Sequence, residues 1–96
     1  MATEVHDAPE RNRYEVTVDG ALAGFAVYRD LDGGPRVFTH TEVFPEFEGQ
    51  GVGSALARGA LDDVRASERT LVPQCPFIEA YIHDHPDYGD LVEPRS

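Results

Sequence analysis

Gly49, Gly51 and Gly53 stand at alternate positions, after Val43-Phe44-Pro45 and at the start of the run Val52-Gly53-Ser54-Ala55-Leu56. Glycines in that spacing strip away side chains where a chain leaves a strand and turns sharply into a helix. The main-chain N–H groups are then bare beside the positive end of a helix dipole, an arrangement that suits phosphate or diphosphate. A second candidate is Cys75, the sole cysteine, followed by Pro76. A cysteine just outside a helix N-terminus favours the thiolate and can accept an acyl group before passing it on. The competing reading is a buried, inert thiol. His40 and Glu42 form a third group, on one face of the strand that leads to the glycines. Either can take a proton from an amine, directly or through water, although a strand histidine is also a common packing residue.

The elements that must position these groups follow from periodicity. Residues 1–12 are charged and aperiodic and are expected to form a flexible arm, leaving a single domain over 13–96. Tyr14–Val18 and Ala21–Arg29 alternate apolar and polar residues around the Asp19-Gly20 turn, which predicts a hairpin. Asp30–Pro35 is a second turn. Arg36–Val43 is the third strand, with Val37, Thr39, Thr41 and Val43 on one side and Phe38, His40 and Glu42 on the other. Val52, Leu56, Ala60 and Val64 recur at every fourth position, predicting an amphipathic helix from about Gly51 to Ser67. Leu71–Gln74 is a short buried strand. A helix then starts at Pro76, where the missing N–H costs nothing, and runs to about His85, with one more turn possible in Asp87–Val92. The order β-β-β-α-β-α defines a small α+β fold with a mixed sheet.

Three kinds of diphosphate loop compete for the glycine segment. A P-loop requires Gly-Lys-Ser/Thr, and the chain contains no lysine. A dinucleotide fingerprint requires G-x-G-x-x-G and a long βαβ sheet, for which the chain is too short. The third is the acyl-coenzyme A loop, [Arg/Gln]-x-x-Gly-x-[Gly/Ala], entered from a strand through Val-x-Pro-x-Tyr/Phe. Val43-Phe44-Pro45-Glu46-Phe47 and Gly49-Gln50-Gly51-Val52-Gly53-Ser54-Ala55-Leu56 resemble that loop in the GNAT acetyltransferases. Val72-Pro73-Gln74-Cys75-Pro76-Phe77, Ala80-Tyr81-Ile82 and His85-Pro86-Asp87-Tyr88 resemble the small stand-alone members, in which the helix after the first strand is missing. The resemblance covers roughly residues 14 to 92.

The resemblance implies a truncated GNAT-like fold, with acetyl-CoA as acyl donor and an amine as acceptor. It places the coenzyme against Val43, Phe44, Glu48, Gly49, Gln50, Gly51, Val52, Gly53 and Ser54. It also implies that Cys75, from the Cys-Pro-Phe motif, is the nucleophile of an acetyl-cysteine route, and that Tyr81 protonates the departing sulfur; the bland reading of Tyr81 is a core tyrosine with its hydroxyl at the surface. In direct transfer, His40 or Glu42 is the base. Glu48 departs from the pattern, which has Arg or Gln there; its carboxylate opposes a diphosphate unless it turns outward.

Charge and composition bound the remaining choices. A formal charge of −10 argues against nucleic acid as a partner. No apolar run reaches membrane-spanning length, and the opening residues lack the apolar core of a signal peptide, so a cytoplasmic protein is expected. His83 and His85 lie two apart and His6 in the arm, without metal-ligand spacing, so no metal is expected. A monomer and a homodimer are both compatible with the sheet edges. A non-catalytic acyl-CoA-binding module or sensor is the alternative to an enzyme.

Overall fold

The computed structural model describes residues 2–32 and 34–94. Met1, Gly33, Arg95 and Ser96, which fall within the expected arm, second turn and domain end, lie outside the described residues. Five strands form one sheet in the order β1 (Thr3–Ala8), β2 (Arg13–Val18), β3 (Ala21–Asp30), β4 (Arg36–Val43) and β5 (Leu71–Pro73). The first four are antiparallel neighbours, and β5 joins β4 in parallel through the crossover helix α1 (Val52–Ala66). A second helix, α2 (Pro76–Asp84), and a 3-10 segment (Pro86–Leu91) follow. The expected α+β architecture with a mixed sheet is present. No helix among the described residues is long and apolar enough to cross a membrane.

The first correction concerns the N-terminal arm, since residues 3–8 pair with β2 along their whole length, from Thr3↔Val18 to Ala8↔Arg13. The observed order is therefore β-β-β-β-α-β-α, with five strands where four were expected. The strand is hard to read because one of its inward residues is an acid. Asp7 accepts a 2.5 Å hydrogen bond from the Tyr28 hydroxyl and lies 3.7 Å from the Arg36 guanidinium. Val5 supplies the apolar contact. It packs so closely on α1 that a Cβ at Gly59 would sit 2.7 Å from it. A glycine inside a helix is unfavourable by itself, and here the close approach of β1 accounts for it.

The second correction concerns the faces of β4. Val27 pairs with His40 but Tyr28 pairs with Phe38, so Thr39 is an extra residue, a β-bulge. A bulge breaks the two-residue alternation, and the side chains beyond it change sides. Phe38 is fully buried and packs against Tyr14 and Tyr28 on the helix-covered face. His40 and Glu42 lie on the opposite face, and Thr41 and Val43 turn towards the helices. The strand thus changes from a core element to a site element at Thr39.

The rest of the core follows the expected pattern. Val52, Leu56, Ala60 and Val64 are buried, joined by Ala57 and Leu61. Each large aliphatic side chain among them contributes about 1.5–3 kcal/mol through burial. Arg36, only 7 % exposed, anchors the other end of the sheet. Its guanidinium donates two bonds to Asp30, at 2.7 and 3.0 Å, and a third to the Tyr14 hydroxyl at 2.6 Å. Tyr14 in turn donates to Asp63 on α1 at 2.5 Å. Burial, reinforced by that acceptor, raises the Tyr14 hydroxyl well above an ordinary tyrosine, so it stays protonated and donates.

Candidate functional site

The loop after β4 is shaped by two glycines in the left-handed region. Pro45–Phe47 forms a single 3-10 turn, and Gly49 and Gly51 then adopt φ of 81° and 75°. A side chain at either position would be strained. Gly51 is the N-cap of α1 and offers no side-chain acceptor, while its carbonyl accepts the first intrahelical bond, from Ala55 N–H at 3.1 Å. The amides of Val52, Gly53 and Ser54, in the first turn, precede any intrahelical donor and point out of the helix end. These three residues border a cavity of about 280 Å³ that is also lined by Val43, Phe47, Glu48, Gly51 and Phe77, among others.

Gly53 has a different function from its two neighbours. It is helical, and a Cβ there would come within 2.9 Å of the Phe77 ring. Its bareness lets α2 approach α1, which closes one wall of the cavity. Phe77 is 41 % exposed although it sits beside the core stripe of Ile78 and Ile82. Phe77, Phe47 and Thr41 were not picked out as site residues by sequence reasoning. The available signal was Phe77 itself, an aromatic residue that does not fit the buried stripe of its helix.

Beyond Phe38 the two parallel strands separate. The β4–β5 pairing runs from Arg36↔Leu71 to Phe38↔Pro73 and ends there, whereas β4 continues to Val43. Cys75 N–H closes the fork with a 2.9 Å bond to the Phe38 carbonyl. The Cys75 side chain is buried at the apex of the fork, with its Sγ 3.2 Å from Thr41 Oγ1. As expected, Cys75 stands immediately before the N-terminus of α2. Thr41 on the open edge of β4 touches the thiol, and Val43 on the same edge lines the glycine-loop cavity.

His40 and Glu42 are brought together on the uncovered face of the sheet. His40 Nε2 lies 3.4 Å from Glu42 Oε1, and the two side chains are 60 % and 51 % exposed. They are on the opposite side of β4 from Thr41 and Cys75. Phe25 packs between His40 and Phe44, and Arg13 lies over its ring at 4.4 Å. Glu48 is exposed and lines the loop cavity, and Gln50 turns back to the Glu46 carbonyl at 3.4 Å.

Tyr81 is on α2. Six residues beyond Cys75, about 9 Å of helix rise, it lines a separate cavity with α1 and the Pro86–Leu91 segment. Its ring stacks on His85, with centroids 4.0 Å apart, and tilts against Tyr88.

Residues 13–91 match the family model described as GCN5-related N-acetyl-transferase. The chain belongs to that family. Two solved structures are similar in fold. One is the NMR structure of a GCN5-like protein from Staphylococcus aureus, with a TM-score of 0.70, 21% identity, and coverage of 97% of this chain and 90% of that one. The other is a ribosomal-protein-alanine N-acetyltransferase from Brucella melitensis biovar Abortus 2308, with a TM-score of 0.58 and 22% identity. That match spans 88% of this chain and 63% of the larger protein. No curated protein matches the chain in sequence.

Proposed function

We propose that this member of the acetyltransferase family takes an acetyl group from acetyl-CoA and delivers it to an amine through Cys75. The observation that carries the reading is the meeting of three features at one place. These are the free first-turn amides of α1, the unpaired edge of β4 beyond Phe38, and the thiol at the fork. The residues fit the coenzyme. A diphosphate suits the amides of Val52, Gly53 and Ser54, and a Cβ at Gly49 or Gly51 would require a backbone conformation that other residues resist. When bound, the coenzyme supplies an activated thioester. An extended arm carrying amides can lie along the open strand edge as an added strand, pointing its thioester towards Cys75.

The steps assigned to the protein balance as a thiol exchange followed by aminolysis. Cys75 Sγ bonds to the acetyl carbon as the bond from that carbon to the coenzyme sulfur breaks. The Cys75 proton ends on the departing coenzyme thiol. The amine nitrogen then attacks the acetyl-cysteine, loses one proton, and returns Cys75 as the thiol. Thr41 Oγ1, at 3.2 Å, is placed to hold the sulfur in position. Because His40 and Glu42 lie on the opposite face of β4 from Cys75, in this route the amine's proton passes to the Cys75 sulfur as the thioester opens. In direct transfer the same pair acts as base and Cys75 is bypassed.

The second reading is a binding module without turnover. It is favoured by Glu48, whose carboxylate lines the cavity where the family pattern has Arg or Gln. One experiment separates the readings. Acetyl-CoA raises the melting temperature under both, while release of free coenzyme A with a panel of amines occurs only for the enzyme. No thermal shift at saturating acetyl-CoA removes both readings.

A further inference from the structure

One large cavity has no part in the coenzyme reading, which also leaves the acceptor without a place. Helix α2 distributes its side chains over three sides. Ile78 and Ile82 are buried in the core, and Phe77 meets α1 at Gly53. Glu79 follows Phe77 by two residues, about 200° around the helix, and so stands on the side away from the glycine loop. A cavity of about 520 Å³ lies there, between Glu79 and Ile82 of α2, Val72 and Pro73 of β5, and Val92 and Glu93 beyond the 3-10 segment. Its size is that of a small-molecule site. Backbone pairing explains the space. Val92 forms a single parallel bridge with Leu71, and Glu93 N–H donates to the Leu71 carbonyl at 2.8 Å. The Thr70 hydroxyl donates to the Glu93 carboxylate and fixes the same end. Pro73 has no N–H with which to extend a ladder, so past Leu71 the outer edge of β5 becomes a wall.

The chemistry of the walls selects a ligand class. Val72, Pro73, Ile82 and Val92 are apolar. No arginine lines the cavity among the described residues, so an anion finds no countercharge there. Glu79 is exposed and makes no ion pair or side-chain hydrogen bond among the described residues. Glu93 accepts its side-chain bond from a neutral hydroxyl. His83, the remaining ionisable group at the cavity, lies 3.6 Å from Asp84. Two carboxylates beside aliphatic walls suit a ligand with an apolar chain and a positive end.

Glu79 also stands in a fixed relation to the thiol. Its N–H donates to the Cys75 carbonyl at 3.0 Å, closing the first turn of α2. The two residues are four apart on one stripe, with about 6 Å of rise between them. Long side chains on a helix lean towards its N-terminus, which for Glu79 is towards Cys75. We propose that this cavity holds the non-reacting ammonium end of an aliphatic diamine, bound by Glu79, while the other amine attacks the acetyl group on Cys75. The assignment rests on the acetyl-transfer reading above and names the class of its acceptor. A short alkyl chain spans the single turn from Glu79 to Cys75. The neutral reacting nitrogen bonds to the acetyl carbon, the bond from that carbon to the Cys75 sulfur breaks, and one proton passes from nitrogen to sulfur. The ammonium at Glu79 keeps its charge throughout. Donor and acceptor then approach Cys75 from different sides of α2, the coenzyme from that of Phe77 and the diamine from that of Glu79.

The test follows release of free coenzyme A from acetyl-CoA with cadaverine, pentylamine and aminocaproate, which carry a positive, an apolar and a negative far end on like chains. The kcat/KM for cadaverine exceeds that for pentylamine about 10-fold, as expected for one charge-assisted contact, and aminocaproate is the poorest. Glu79→Gln abolishes the preference for cadaverine, chiefly through KM, and Glu79→Asp retains part of it. Equal kcat/KM for cadaverine and pentylamine in the unsubstituted protein, or a preference that survives Glu79→Gln, overturns the site while acetyl transfer stands. A second measurement needs no turnover. Cadaverine alone shifts the amide NMR peaks of Val72, Glu79 and Val92, and pentylamine at the same concentration shifts them less. Unmoved peaks overturn the site. Shifted peaks without coenzyme A release from any amine keep the cavity as a diamine site and remove the acetyl-transfer reading. Glu79 is exposed and outside the core, and an unchanged circular dichroism spectrum checks that its variants are folded.

Discussion

The two halves of β4 put nearly the same strand chemistry to opposite uses. From Arg36 to Phe38 the strand is paired on both sides, its arginine is held by Asp30, Tyr14 and their neighbours, and Phe38 is fully buried. From Thr41 to Val43 it has a partner on one side only, and its side chains face a thiol, a loop cavity and solvent. In the first half every strong polar group is satisfied within the protein, and the result is rigidity. In the second, strand edge and helix amides are left without protein partners among the described residues, and such groups are stable only where water or a ligand can reach them. The Thr39 bulge is the boundary.

This division can be broken from either side. The largest effect is expected at the fork. Cys75→Ala lowers acetyl transfer at least about 100-fold, as removal of a covalent nucleophile does, while affinity for coenzyme A by calorimetry stays within about twofold. Full activity in that variant leaves direct attack as the route. In the structural half, Arg36→Met lowers stability by about 2 kcal/mol in chemical denaturation. That lies below the range for broken buried pairs because Asp30, Asp7 and Asp63 are partly solvated. Its coenzyme affinity is unchanged, and a loss of affinity with the fold intact contradicts the division.

Gly51→Ala affects both halves. Its φ of 75° costs a side chain about 1 kcal/mol in stability, and coenzyme binding falls further as the loop relaxes. A variant that loses stability but binds normally shows that the loop conformation serves folding alone. Glu48→Arg sharpens the functional half. Coenzyme A binds about fivefold more tightly, consistent with about 1 kcal/mol for an exposed charge reversal. Unchanged affinity means the carboxylate points away from the diphosphate.

The smallest effect concerns acid. The hydrogen bond from Arg36, acting against partial burial, holds the Asp30 carboxyl below its ordinary range. A folded-state pKa below the unfolded one contributes stability that is present above the unfolded value and lost as pH falls through the folded one. Stability therefore declines from about pH 4 downwards, and Asp30→Asn flattens that decline while lowering stability at neutral pH. An identical acid limb in both proteins assigns the loss to other carboxylates.

Much of the site was legible because its determinants are local. Alternating glycines after Val-x-Pro marked the loop, the four-residue recurrence of Val52, Leu56, Ala60 and Val64 marked α1, and Pro76 marked the start of α2 with Cys75 beside it. These signals depend on steric limits within a few residues, which any fold must respect. β1 was hidden because a strand whose inward positions include Asp7 shows no alternation until Tyr28 and Arg36 are known to meet it. The bulge was hidden because pairing register belongs to two strands, and residues 36–43 alone are compatible with unbroken alternation. The cavity that Tyr81 lines was not legible because a motif position does not say which groove the helix faces.

By itself, then, the chain determined the conformations that backbone sterics and periodicity fix: where glycine is needed, where helices begin, and which stripe of α1 is apolar. Tertiary structure alone decided which charges are enclosed and which are free, which face of β4 meets the thiol, and how far the two parallel strands stay together. Those are properties of contacts between segments distant in sequence. Asp63 and Tyr14, or Thr41 and Cys75, acquire their roles only when folding brings them within hydrogen-bonding reach.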